Sequence, residues 1–215
     1  MARRRTAAGV VLCAGVVLCS LGCHRLAGHA ANERGRKLYA AGRYDEAAAE
    51  FRRAVLDDPA EPDFRHNLAG ALHKTGDPAA RERLLRETLT LDPDHQPTVH
   101  ALAGLYLEAG RADEAVAVAG RWAAARPDDP RPHLELAEVH RKLGDAVAAE
   151  ASLRHALAVA PDDPAALAKL GELREAEGHP ADARRLYEAA LERNWAQPGV
   201  ADRLRALKRK ANAGA

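Results

Sequence analysis

Apolar positions along the chain recur with the period of a helix and are interrupted at regular intervals. Between Tyr44 and Leu56, the residues Ala47, Phe51, Ala54 and Val55 fall at offsets of four, seven and eight, which is one stripe of a 3.6-residue helix. Asp45, Glu46, Glu50, Arg52 and Arg53 take the opposite face. Asp57-Asp58-Pro59 then predicts a stop, because proline disfavours helical geometry in its predecessor and donates no backbone hydrogen bond. Gly42, Gly76, Gly110, Gly144 and Gly178 stand 34 residues apart, and so do Pro59, Pro93, Pro127 and Pro161. Two kinds of breaker locked to one period describe an array of repeated units rather than a single globular core.

Each unit reads as helix, glycine turn, helix, proline turn. A residue without Cβ can take the left-handed conformation that closes a helix. After it comes an N-cap and a proline at the first helical position, as in Gly76-Asp77-Pro78 and Gly178-His179-Pro180. Pro198 opens one more first-helix pattern, with Ala201, Leu204 and Leu207 on one side and Asp202, Arg203, Arg205, Lys208, Arg209 and Lys210 on the others. A terminal unit needs a polar outer face, so residues 198–215 are expected to form a capping helix and tail.

The in-register copies resemble the tetratricopeptide repeat. Unit one supplies Gly35, Leu38, Ala47, Phe51, Ala54 and Pro59; unit two Leu68, Ala69, Leu72, Leu85 and Pro93; unit three Leu102, Ala103, Tyr106, Ala115, Ala119 and Pro127. Unit four supplies Leu136, Ala137, Ala149, Leu153, Ala156 and Pro161, and unit five Leu170, Gly171, Ala183, Tyr187 and Ala190. Departures are Arg81 and Thr88 at small apolar positions, Trp122 at another, His140 in a Tyr position, and Trp195 in place of the closing proline. The resemblance implies an all-α fold, a right-handed α-solenoid of about five helix-turn-helix units, at residues 28–61, 62–95, 96–129, 130–163 and 164–197, plus the capping helix.

Composition agrees with that class. Aromatic residues are 4% of the chain while hydrophobic residues are 47%, so the interior is built mainly from Ala, Leu and Val, which suits closely packed helices. Lys and Arg number 32 against 31 Asp and Glu, a balance that exerts no general pull on nucleic acid or anionic membrane. Cys13, Cys19 and Cys23 all precede the repeats, which therefore hold neither an internal disulfide nor a thiolate metal site.

Residues 1–23 have the pattern of an export signal: Arg3-Arg4-Arg5, an apolar run from Ala7 to Leu21, then Gly22-Cys23. The end of the run resembles a bacterial lipoprotein signal, which implies lipidation at Cys23, although Ser20 stands where such signals usually carry Leu. A cleaved secretory signal and an uncleaved anchor are the alternatives. Residues 24–27 are expected to be a short tether with helix beginning near His29, six residues beyond Cys23, so that an extended linker holds the first unit within ~20 Å of a bilayer. By the sorting rule of such lipoproteins, His24 after the cysteine points to the outer membrane, facing the periplasm.

No nucleophile elbow, phosphate-cradling glycine loop or His-Glu-x-x-His helix appears, so no enzyme activity, cofactor, metal or small-molecule substrate is expected. The ten histidines are the one candidate for chemistry, His66, His73 and His100 foremost, with His133 and His140 at packing positions. In tetratricopeptide proteins the first helix of each unit lines a concave groove that binds a protein or peptide. That resemblance implies a groove of Asn32, Arg36 and Tyr39 in unit one, Asp63, His66, Asn67 and His73 in unit two, and His100 in unit three. Arg131, Glu138 and Arg141 follow in unit four, and Lys169, Glu172 and Glu175 in unit five. The family's two-carboxylate clamp is matched only at Asn67, with Pro97 and Ala101 where later cations belong. The expected function is a non-enzymatic scaffold, lipid-anchored at the bacterial envelope, for a protein or peptide partner. The alternative is a signal-anchored inner-membrane assembly factor, for example in cofactor or cytochrome maturation.

Overall fold

The computed structural model describes the backbone of residues 8–213 and the side chains of residues 24–212. Among the described residues there are eleven α-helices and no strand: α1 (Ala8–Ala40), α2 (Tyr44–Asp57), α3 (Pro62–Thr75), α4 (Pro78–Leu91), α5 (Gln96–Glu108), α6 (Ala112–Ala125), α7 (Pro130–Lys142), α8 (Ala146–Val159), α9 (Pro164–Ala176), α10 (Pro180–Arg193) and α11 (Pro198–Ala213). This is the all-α helix-pair architecture that the period predicts, with α11 as the added terminal helix. The chain divides within α5 into two compact units, residues 1–98 and 99–215.

The breakers act as their chemistry requires. All five period-locked glycines have positive φ, between 70° and 85°, a conformation that an L side chain resists. The turns are short, which makes successive helices antiparallel neighbours. Asp77, Asp129, Asp145 and Asp163 each cap a helix by accepting a hydrogen bond from a first-turn N–H. His179, expected to cap α10, makes no such bond, since its ring presents no oxygen at the required place.

In the first unit α1 packs on α2, α2 on α3 and α3 on α4, and α1 also touches α3. The stripe predicted on α2 is the buried one: Ala47, Phe51 and Ala54 are at most 2% exposed. In the second unit α6 to α11 pack each on the next, and α7 also touches α9. There α11 lays Val200, Leu204 and Leu207 against Ala183, Tyr187 and Ala190. Trp122, a large residue at a small position, is buried on α6, whereas Trp195 in the turn before α11 is 86% exposed.

One boundary differs from the expectation. Residues 24–27 lie inside α1 rather than in a tether, because Leu26, Ala27, Ala30 and Ala31 favour helix and no breaker separates them from the repeat. His24 lies 3.8 Å from Asp57 and Arg25 3.4 Å from Asp58, so this segment is already docked on the end of α2. Six helical residues rise only ~9 Å, half the extended reach. The signal and its lipidation residue Cys23 fall on side chains outside the described residues. Among the described residues no helix is long and apolar enough to cross a membrane.

Candidate functional site

First helices of successive repeats lie side by side within each unit, so residues one period apart become neighbours. In the first unit Asn67 on α3 donates a 2.9 Å hydrogen bond to the side-chain oxygen of Asn32 on α1. Arg36 and Tyr39 on α1, with His66, Asn67 and Gly70 on α3, line a cleft of about 290 Å³ floored by Phe51. Gly70 leaves it open, since a Cβ there would meet nothing within 4 Å. Arg36 is exposed and lies 3.6 Å from Glu33, and the Tyr39 ring meets Tyr44 edge-on.

His66 is tied to three residues that the periodicity relates in another way. Its Nδ1 lies 3.1 Å from Thr98 Oγ1, the same hydroxyl lies 2.7 Å from His95 Nδ1, and His95 Nε2 lies 3.0 Å from Asp63 Oδ1. Burial, then the nearby His95, hold the His66 imidazole below its ordinary pKa, against an opposing pull from Asp63. The order carboxylate, imidazole, hydroxyl is that of a nucleophile triad. Thr98, however, is 0% exposed, and a buried hydroxyl reaches no substrate. His73 stands apart and accepts from Arg81 at 2.9 Å. Among the described residues no three or more His, Cys, Asp or Glu side chains gather to hold a metal ion.

In the second unit His100 on α5 lies 2.9 Å from the buried carboxylate of Glu135 on α7, one repeat along. Glu138 on α7 accepts from Arg141 on its own helix and from Lys169 on α9, the latter at 3.1 Å. Burial pushes the Glu138 carboxyl up, but Arg141 and Lys169 together outweigh it and hold the pKa at about 2. Arg203 on α11 bridges Glu172 at 3.7 Å and Glu175 at 3.1 Å, both on α9. Glu175 also accepts from the hydroxyl of Tyr187, whose pKa is raised first by burial and then by that carboxylate. Arg141, Glu172, Glu175 and Arg203 border a cleft of about 530 Å³. Arg131 belongs to a different setting, at the start of α7, where it is bonded to the capping Asp129. His133 stacks on His155 with centroids 5.6 Å apart.

The residues that periodicity failed to single out are His95, Thr98, Glu135, Gly70 and Arg203. Arg203 stands 34 residues after Lys169 and Glu135 34 before it, so carrying the register one step each way would have found both. His95 and Thr98 sit around the proline turn, 32 residues from Asp63 and His66, and only the packing of that turn on α3 brings them to the face.

Family models described as tetratricopeptide or TPR repeats match residues 35–76, 79–139 and 130–173. The TPR repeat-containing thioredoxin TTL4 of Arabidopsis thaliana is 37% identical over 83 residues, 38% of this chain, and the match spans 12% of that relative's length. Among solved structures, a thermophilic TPR protein of Thermus thermophilus is similar with a TM-score of 0.63 and 26% identity over 84% of this chain and 98% of the other. Pseudomonas aeruginosa pilF gives 0.59 at 19% identity, covering 80% and 78%. PilW, described as a widely conserved type IV pilus biogenesis factor, gives 0.58 at 18% identity, covering 86% and 92%. At such identities the last two show a shared fold alone.

Proposed function

We infer, from the tetratricopeptide repeats that occupy residues 35–76 and 79–173, that this chain is a non-enzymatic scaffold that binds a protein or peptide along its first helices, held at the bacterial envelope by a lipid on Cys23. Proteins built from these repeats bind protein partners, and the scaffold is typically non-catalytic. The observation that carries the groove reading is the row of first-helix side chains joined across repeats, Glu138 with Lys169 and Glu172 with Arg203, beside an open cleft. Such a row keeps charged groups oriented in advance, which reduces the entropy lost when a partner docks.

A pull-down from envelope extract tests it. Arg141→Glu combined with Glu172→Lys in the full chain, with helical content checked by circular dichroism, should lose or exchange the captured partner. An unchanged partner set on folded protein refutes the groove. The anchor is tested separately by intact mass, where an acylated N-terminus at Cys23 is expected. The unbroken course of α1 through residues 24–27 favours a second reading, the uncleaved signal anchor of an inner-membrane assembly factor, and a retained Met1 or Ala2 would decide for it.

A further inference from the structure

The chain Asp63–His95–Thr98–His66 is short of hydrogens in a way that fixes each of them. Asp63 accepts from His95, so the hydrogen of neutral His95 is on Nε2, and its Nδ1 is a bare acceptor. Thr98 has a single O–H, which must therefore point at His95 Nδ1. His66 Nδ1, at 3.1 Å from the same oxygen, then has to be the donor. A neutral imidazole carries one hydrogen, so His66 Nε2 is bare. With Nδ1 committed to Thr98, Nε2 is the ring nitrogen left to serve the cleft that His66 lines with Arg36, Tyr39 and Asn67.

One added proton changes that atom by either of two routes. Placed on His66 directly, it occupies Nε2. Placed on His95 Nδ1, it reverses the chain: His95 donates to Thr98, Thr98 turns its hydrogen to His66 Nδ1, and the hydrogen of His66 moves to Nε2. A second proton is opposed, because both Nδ1–H groups would then aim at Thr98 while its own hydrogen lost its acceptor, and two cations would face each other with ring centroids 5.5 Å apart. Charged and titratable groups around the pair include Asp63 on α3, Arg81 on α4, and Arg36 and Tyr39 across the cleft on α1. Burial and the adjacent His95 disfavour a charge on His66 itself, and by either route the hydrogen-bond chain leaves His66 with a hydrogen on Nε2.

We propose that these four residues form a one-proton switch that turns the cleft nitrogen of His66 from acceptor to donor, so that on acidification the cleft binds a carboxylate of a peptide partner. The bare Nε2 repels a carboxylate, whereas Nε2–H and the exposed guanidinium of Arg36 complement one. This ligand assignment rests on the groove reading above; the switch itself does not.

The test is nitrogen NMR of histidine-labelled full chain, in which the ring shifts report the tautomer without any partner. At about pH 8, above the ordinary histidine value of ~6.5, His66 should be the Nδ1–H form and His95 the Nε2–H form. As the pH is lowered stepwise from there, His66 Nε2 should come to carry the hydrogen at the step where the pair gains its first proton. An Nε2–H form of His66 at the higher pH, or two protons gained independently, overturns the switch. Thr98→Val should free His66 from its enforced form and Thr98→Ser should restore it; should the valine variant not fold, the unsubstituted chain alone decides. Acetate is the ligand probe: it should shift the His66 Nε2 resonance at the lower pH only. A shift at neither pH overturns the carboxylate assignment, and leaves both the switch and the pull-down result standing.

Discussion

Two of the repeats close an aromatic ring onto a glycine. A Cβ placed on Gly35 would lie 2.6 Å from the Phe51 ring, and one on Gly171 2.6 Å from the Tyr187 ring. Both pairs are 16 residues apart; at the same spacing Ala137 shares a buried cluster with the narrower Leu153, and Ala69 precedes Leu85. The first-helix residue is thus as small as its partner on the second helix demands. Gly171→Ala should destabilise the chain by about 1–3 kcal/mol in chemical denaturation, as overpacking does. Adding Tyr187→Leu to Gly171→Ala should recover part of that loss, and independent losses would refute the pairing. The two sequence departures on α4 resolve at this scale as well. Thr88 is 0% exposed but donates its hydroxyl hydrogen to the Leu84 carbonyl at 2.7 Å, and Arg81 turns out to reach His73. A buried threonine is tolerated because its one hydrogen is satisfied within its own helix, which a pattern of apolar positions does not reveal.

At the scale of elements, the stops were legible because each has a local cause. Gly144 closes α7 at φ 78° with nothing within 4 Å of where a Cβ would stand, so Gly144→Ala probes the backbone conformation alone. It should cost about 1–2 kcal/mol, the strain of a left-handed alanine. Asp145 next to it accepts from Ala148 N at 2.9 Å, and Asp145→Ala should cost about 1 kcal/mol through the lost cap. A thermal melt of each variant checks both; a silent Gly144→Ala would mean that α7 does not end as described. The start of α1 was not legible, since helix-favouring residues continue from the apolar leader into the repeat and nothing local marks the change of role. Docking of His24 and Arg25 beside Asp57 and Asp58 is tertiary information.

For the whole molecule, acid is the informative perturbation. Glu138 has a folded pKa of about 2 against an ordinary 4.5, so its charged form is favoured by folding. A depressed carboxyl contributes stability that is fully present above the ordinary value and is lost as the pH falls toward the folded one. The window is therefore about pH 4.5 down to about 2. The contribution is on the order of 2 kcal/mol, allowing for partial solvation of its partners. Glu138→Gln should leave a smaller difference in unfolding midpoint between neutral and acid solution than the unsubstituted chain shows. An equal difference would place the acid sensitivity elsewhere, Glu150 beside Arg174 being another carboxylate held low.

The sequence by itself determined the all-α class, the 34-residue unit, the glycine and proline stops and the buried stripes, because all of these follow from local dihedral preferences and from a period shared by successive copies. A fixed register also carries a position from one unit's first helix to the next, as from Glu135 to Lys169 and Arg203. Tertiary structure alone decided how such residues pair: Asn32 with Asn67, Glu138 with Lys169, and Asp63, His95, Thr98 and His66 in one chain. The physical reason is that hydrogen-bond partners are chosen by distances of about 3 Å. A period specifies which helices are neighbours, but not which atoms their turns bring within that reach.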